Sequence, residues 1–197
     1  MQHNCVMTKW LLEPPPPAEF FTLIKEMHIT EERFNNIIAS LLWNRGFRSV
    51  DDIRSFLYPD YDRDTHNPFL LRNMDKAVQR IIDAIKSDET LLVFSDYDAD
   101  GVCGAAILTE FFNSIGKKIL LHIPNRLKDP YGLTEDKIQE FIQRGVKVLI
   151  TIDCGVTDEK EIGIAQQHGI DVIVIDHHIV PPRWPFAAIA ACKSSPG

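Results

Sequence analysis

Residues Val93–Gly104 read VFSDYDADGVCG. The first letters end an apolar run, Leu91 to Ser95, and the rest set aspartates at 96, 98 and 100 ahead of Gly101. Alternating carboxylates before a glycine resemble the start of a calcium loop. A loop opening at Asp96 would need a bidentate glutamate at roughly its twelfth position, which is Ile107, and a helix in front of it. The preceding residues have the pattern of a strand, so the acids follow a β-strand and the calcium reading fails on both counts.

Working outward, the same arrangement recurs. The short apolar runs Leu91–Ser95, Lys118–Ile123, Val146–Ile152 and Asp171–Ile175 alternate with helical segments predicted over Val102–Ser114, Thr134–Gln143 and Thr157–His168. Runs apolar on both faces, separated by helices, predict a parallel sheet covered on both sides, an α/β fold. Gly116, Gly145 and Gly169 follow the helices where a left-handed residue ends them, and Thr134 and Thr157 stand as N-caps before acidic first turns.

The first 70 residues differ. Pro14 to Pro17 form a stiff, extended spacer after a short N-terminal arm. Thr30 is expected to cap a helix presenting Phe34, Ile37, Ile38, Leu41 and Leu42 on one face and ended by Gly46. Further helices are expected over Ser49–Leu57 and Asp75–Ile85. The expected organisation is a helical lead-in over 1–70 and an α/β core over 71–197.

Composition narrows the class. The 197 residues carry 21 basic against 28 acidic side chains, a net charge of -7, which argues against a surface that coats nucleic acid by bulk charge. No run approaches the roughly 18 apolar residues of a membrane span, and Met1 to Leu12 lack the pattern of a signal peptide, so a cytoplasmic protein is expected. The four cysteines are dispersed and read as reduced thiols, Cys103 and Cys154 beside the acids being small residues that fill a tight turn or helix start.

Position then gives the chemistry. Asp96, Asp98 and Asp100 follow the first strand, Asp153 the third, and Asp176, His177 and His178 the fourth. Loops after parallel strands leave the sheet at one edge, so these side chains are predicted to converge. Turn capping accounts for one or two aspartates, but it leaves several like charges crowded together, which a divalent cation would neutralise. Oxygen ligands with one or two imidazoles suit Mn²⁺ or Mg²⁺ better than a closed thiolate zinc site. Asp153, central in the set, can bridge two ions about 3.5–4 Å apart, an arrangement that serves phosphoester hydrolysis. Phosphate loops, nucleophile elbows and dinucleotide fingerprints are absent from the sequence.

DYDADG, the basic segment HIPNRLKDPYGL, TIDCG and DVIVIDHH, in that order, resemble the motifs of the DHH phosphoesterase superfamily. NRGFRSVDDIRSFLYP and NPFLLRNMDKAVQRI resemble the lead-in of its RecJ branch, extending the likeness over nearly the whole chain from about Trp10. The resemblance implies a metal-dependent 5′ to 3′ exonuclease acting on single-stranded DNA in recombination and repair, using two Mn²⁺ or Mg²⁺ ions and working among repair-protein partners. It implies that Asp98 and Asp153 hold one metal and Asp100, Asp153 and His177 the other. It puts His178 near the scissile phosphate, gives Asp96 and Asp176 supporting roles, and offers Arg126 to the substrate backbone.

Ser95 and Pro130 stand where that family usually has glycine, so a differently shaped loop is expected around Tyr131. The sequence stops at Gly197, before the aspartate that completes the family's second metal site and before its DNA-gripping domains. The resemblance therefore implies an N-terminal portion that does not degrade DNA unaided. Two other functions stay open: a phosphoesterase for short oligonucleotides or small phosphate compounds, and a non-catalytic scaffold of the same fold.

Overall fold

The computed structural model describes residues 13–180 and the backbone of 189–192; the expected arm over residues 1–12 lies outside the described residues. The chain divides between His66 and Asn67 into two compact units.

The first unit holds helices α1 (Ala18–Glu26), α2 (Asn35–Asn44), α3 (Val50–Leu57) and the single turn α4 (Tyr61–Asp64). Its core gathers Phe20, Ile24, Ala39, Leu42 and Ile53. Ser49 caps α3 by accepting the Asp52 N–H, as the sequence predicts, and Gly46 follows α2 with φ 88°. Two expectations are corrected. Thr30 does not cap α2, because Phe34 N–H donates to Glu31 and closes a 3₁₀ turn over Glu32–Phe34 before the helix starts. The buried face of α2 carries Asn35, Ala39 and Leu42, leaving Phe34, Ile37 and Leu41 exposed. Both stripes satisfy a helical period; the one containing small Ala39 packs with the Phe20 and Ile24 cluster.

The second unit holds α5 (Met74–Lys86), β1 (Leu91–Ser95), α6 (Ala99–Ser114), β2 (Leu120–His122), α7 (Glu135–Gln143), β3 (Val148–Ile152), α8 (Glu159–Gln167), β4 (Asp171–Asp176) and β5 (Ile189–Cys192). The strands form one parallel sheet in the order β2-β1-β3-β4-β5. The α/β architecture read from the sequence holds, with β5 as an additional strand.

Alternation along each strand explains why the runs are apolar throughout. Leu92, Phe94, Leu149, Val172 and Val174 share a cluster with Ile138 and Phe141 of α7 and Ile162 of α8. Leu91, Val93, Val148, Ile150 and Ile173 share the other with Ala77 of α5 and Phe112 of α6. Both faces are covered, so no polar alternation survives, and each buried aliphatic side chain contributes about 1.5–3 kcal/mol of transfer free energy.

Gly116, Gly145 and Gly169 have positive φ after their helices, and Thr134 caps α7 by accepting the Lys137 N–H. Thr157 does not cap α8. Asp158 occupies the cap position, and its carboxylate accepts from Leu133 N–H at 2.8 Å instead of from its own helix.

Candidate metal centre

The site lies where chain order reverses in the sheet. From β1 the chain crosses to β2 on one side and then returns to β3 on the other, and such a switch leaves a crevice beyond the carboxyl ends of the central strands. The main chain extends the strand pairing into this crevice: Asp96 N–H donates to Ile152 at 3.1 Å, and Asp153 N–H to Ile175 at 2.8 Å.

After β1 the chain turns directly into α6. Asp98 is the N-cap, its Oδ1 accepting Asp100 N–H at 3.0 Å and Gly101 N–H at 3.2 Å, so the helix begins three residues before the expected Val102. These bonds, the Gly101 one foremost, hold the Asp98 carboxyl below its ordinary pKa. Gly101 permits the tight turn, because a Cβ there would lie 2.4 Å from the Asp96 carbonyl oxygen. Gly155 does the same after β3: φ is 112°, and a Cβ would meet Thr151 Oγ1 at 2.6 Å.

Asp153 is the centre of the set. It is buried, with φ 59°, the left-handed region that a non-glycine residue holds only when its surroundings impose it. Burial first, and then the neighbouring Asp98 carboxylate, raise its pKa. Its Oδ1 has no hydrogen-bond partner among the described residues; His177 Nε2 lies 2.9 Å away, outside hydrogen-bonding geometry.

Asp176 is buried at the end of β4. Its Oδ2 accepts Val156 N–H at 3.1 Å, and its Oδ1 accepts His178 N–H at 3.0 Å and the His178 ring at Nδ1 at 2.7 Å. Burial alone would raise the Asp176 pKa, but the bonds from His178 and Val156 outweigh it and lower it. The same contact raises the pKa of His178. A carboxylate only accepts, so the Nδ1 proton is fixed and Nε2 is left as the ring's free nitrogen.

Ligand-capable atoms of Asp96, Asp98 and Asp153 lie within 4.8 Å of one another, as do those of Asp153, His177 and His178, with Asp153 shared. Five of the seven predicted acids and imidazoles therefore converge. Asp96 lies in the first of these groups and also accepts Tyr97 N–H at 2.7 Å. Asp176 braces His178 instead of joining either group, and Asp100, in the first turn of α6, joins neither. The exposed Arg126 sits 5.4 Å from the Tyr97 ring centroid, beside the acidic turn.

Two contacts escaped the sequence reading. Tyr131 Oη donates to the Asp153 carbonyl at 3.3 Å, and its ring stands edge-on to His178 with centroids 6.2 Å apart. Asp158 holds the adjoining Leu133 N–H. Both contacts span more than twenty residues of sequence, so no local pattern announces them. Cys154 is buried with its thiol pKa pushed up by that burial, in keeping with the space-filling role expected of it.

This set suits hard divalent cations: oxygen donors from two loops, imidazoles from a third, and at the centre a buried carboxylate oxygen with no donor of its own. Residues 90–196 match the N-terminal domain of the DHH family. The chain belongs to the DHH family. The chain is similar to the single-stranded-DNA-specific exonuclease RecJ of Bacillus subtilis (strain 168), 32% identical over 96% of this chain and 23% of that protein. It is also similar to RecJ of Thermus thermophilus, at 29% identity over 90% of this chain and 24% of its relative. The chain thus spans about a quarter of the length of these curated relatives. Among solved structures, the chain resembles exonuclease RecJ bound to manganese, with a TM-score of 0.61 and 28% identity over 66% of this chain and 33% of that one. No helix among the described residues is long and apolar enough to cross a membrane.

Proposed function

We propose that this chain is the N-terminal, metal-binding part of a nuclease that hydrolyses phosphodiester bonds in single-stranded DNA from the 5′ end. The observation that carries the reading is the pair of groupings, Asp96 with Asp98 and His177 with His178, that share the buried Asp153, whose Oδ1 has no hydrogen-bond partner among the described residues. Similarity to RecJ proteins over most of the chain supports the substrate class, and the manganese in a related structure supports the ion.

Asp98, Asp153 and Asp96 would hold Mn²⁺ or Mg²⁺ together with His177 and His178, Asp153 serving both groups. When bound, such ions polarise phosphoryl oxygens and lower the pKa of water. The protein's own contribution is arrangement. Asp98 is anchored by the amides of α6, Asp153 by the sheet, and the His178 ring by Asp176, so little reorganisation accompanies loading. Arg126, exposed beside Tyr97, supplies a cation for the phosphate backbone in a chain whose overall charge is negative. Asp100, exposed in the first turn of α6, is a proposed ligand on the family resemblance alone.

The test pairs calorimetric Mn²⁺ titration of this chain with cleavage of a 5′-labelled single strand by the longer protein that contains it. Saturable Mn²⁺ binding lost in Asp153→Ala, together with loss of cleavage, is the expected result. Cleavage undiminished by Asp153→Ala would overturn the reading.

A further inference from the structure

The strained backbone of Asp153 needs support on both sides of its peptide planes. The sheet provides one side, through the N–H bond to Ile175 at 2.8 Å. On the other, the carbonyl accepts from Tyr131 Oη at 3.3 Å. The same tyrosine ring meets the His178 imidazole edge-on, at 75° between planes. One side chain, neither acidic nor imidazole, thus touches the backbone that carries the central carboxylate and the ring that Asp176 orients.

Tyr131 is itself held in place. Leu133 N–H donates to Asp158 Oδ2 at 2.8 Å, and Gly132, with φ 77°, passes so close that a Cβ would fall 2.9 Å from the same oxygen. Asp158 stands at the start of α8, directly after the Asp153 loop. The segment 131–133 is therefore latched to the element that follows the loop Tyr131 supports, and the two loops define each other's positions.

We infer that Tyr131 is a positioning residue of the candidate metal centre: its hydroxyl and ring hold Asp153 and His178 at ligating separation before an ion arrives. This rests on reading the centre as a metal site. Tyr131 carries no metal-ligating carboxylate or imidazole, so its effect is on affinity through preorganisation.

The test uses the full chain with Tyr131→Phe and Tyr131→Leu, titrated with Mn²⁺ by calorimetry well below their melting temperatures. In parallel, the His178 imidazole resonances are followed by NMR in chelator. Losing one neutral hydrogen bond should weaken Mn²⁺ binding about five-fold in Tyr131→Phe. Losing the ring as well should weaken it about ten-fold or more in Tyr131→Leu, with the His178 resonances displaced before any metal is added. A role confined to stability would lower the melting temperature and leave the affinity of the folded protein unchanged, and that result would overturn the inference. If the wild-type chain binds no Mn²⁺, the metal reading falls and takes this inference with it. If the wild type and Tyr131→Leu bind equally, the inference alone falls.

Discussion

Replacing Asp153 with asparagine should stabilise the metal-free chain while removing its ion affinity. Asp153 is only 6% exposed, its Oδ1 lacks a hydrogen bond, and its pKa is raised by burial and by Asp98. An unsatisfied buried polar group costs about 1–3 kcal/mol. Asparagine has nearly the same volume, carries no charge, can donate to the Asp98 carboxylate, and tolerates a φ of 59° better than most residues. A gain of about 1–2 kcal/mol follows. For a chain of 197 residues that is a rise of about 2–8 °C in melting temperature. Manganese at about a hundred times its dissociation constant adds about 2.7 kcal/mol to the wild type, so the order of stabilities should invert on adding metal. Thermal melts followed by circular dichroism at pH 8, in chelator and then in Mn²⁺, read both effects. A variant that melts below the wild type in chelator, or gains as much from Mn²⁺, would refute the reasoning.

Gly101→Ala should destabilise the chain by about 1–3 kcal/mol and weaken Mn²⁺ binding, since the new Cβ meets the Asp96 carbonyl oxygen at 2.4 Å; an unchanged urea midpoint would contradict the close approach. Asp176→Ala should lower stability by about 1–3 kcal/mol by stranding the Val156 N–H and freeing the His178 ring, seen as a lower urea midpoint and a shifted His178 resonance; neither changing would exclude the brace. His122 stacks on Phe94, and burial holds its pKa below that of an ordinary imidazole, helped by nearby Lys137. As pH falls, the unfolded chain takes up that proton first, so stability present above about pH 6.5 is lost as pH drops toward the lowered folded value. His122→Phe should flatten this acid limb in urea midpoints compared at pH 7 and pH 5, and an unaltered slope would refute it.

Much of this architecture is legible in the sequence because the decisive signals are local. Leu91–Ser95 and Val148–Ile152 are apolar on both faces, and the acids stand immediately after them, so sheet and crevice follow from order alone. What was missed depends on contacts between distant residues. Thr157 satisfies every local rule for a cap, but a tertiary bond from Leu133 recruits Asp158 instead. The Ile189–Cys192 strand, IAAC, lacks the β-branched run of its neighbours and takes its place by pairing with β4. Helix α1 follows directly on the proline run, which reads as spacer, although Pro16 is buried. Within the site, DYDADG presents three aspartates as equivalents. Only the geometry separates Asp98, which caps α6, from Asp100, carried into its first turn.

The Asp96 and Asp153 amides are bonded to the ends of the adjoining strands, so the spacing of the central carboxylates is inherited from the repeat of the sheet's own pairing. Substitutions accumulating beneath the sheet would erode resistance to heat long before they altered that spacing. The interior can therefore be repacked with other apolar side chains while the crevice keeps its dimensions, provided that the acids and imidazoles at its edge and the glycines that close its turns stay in place.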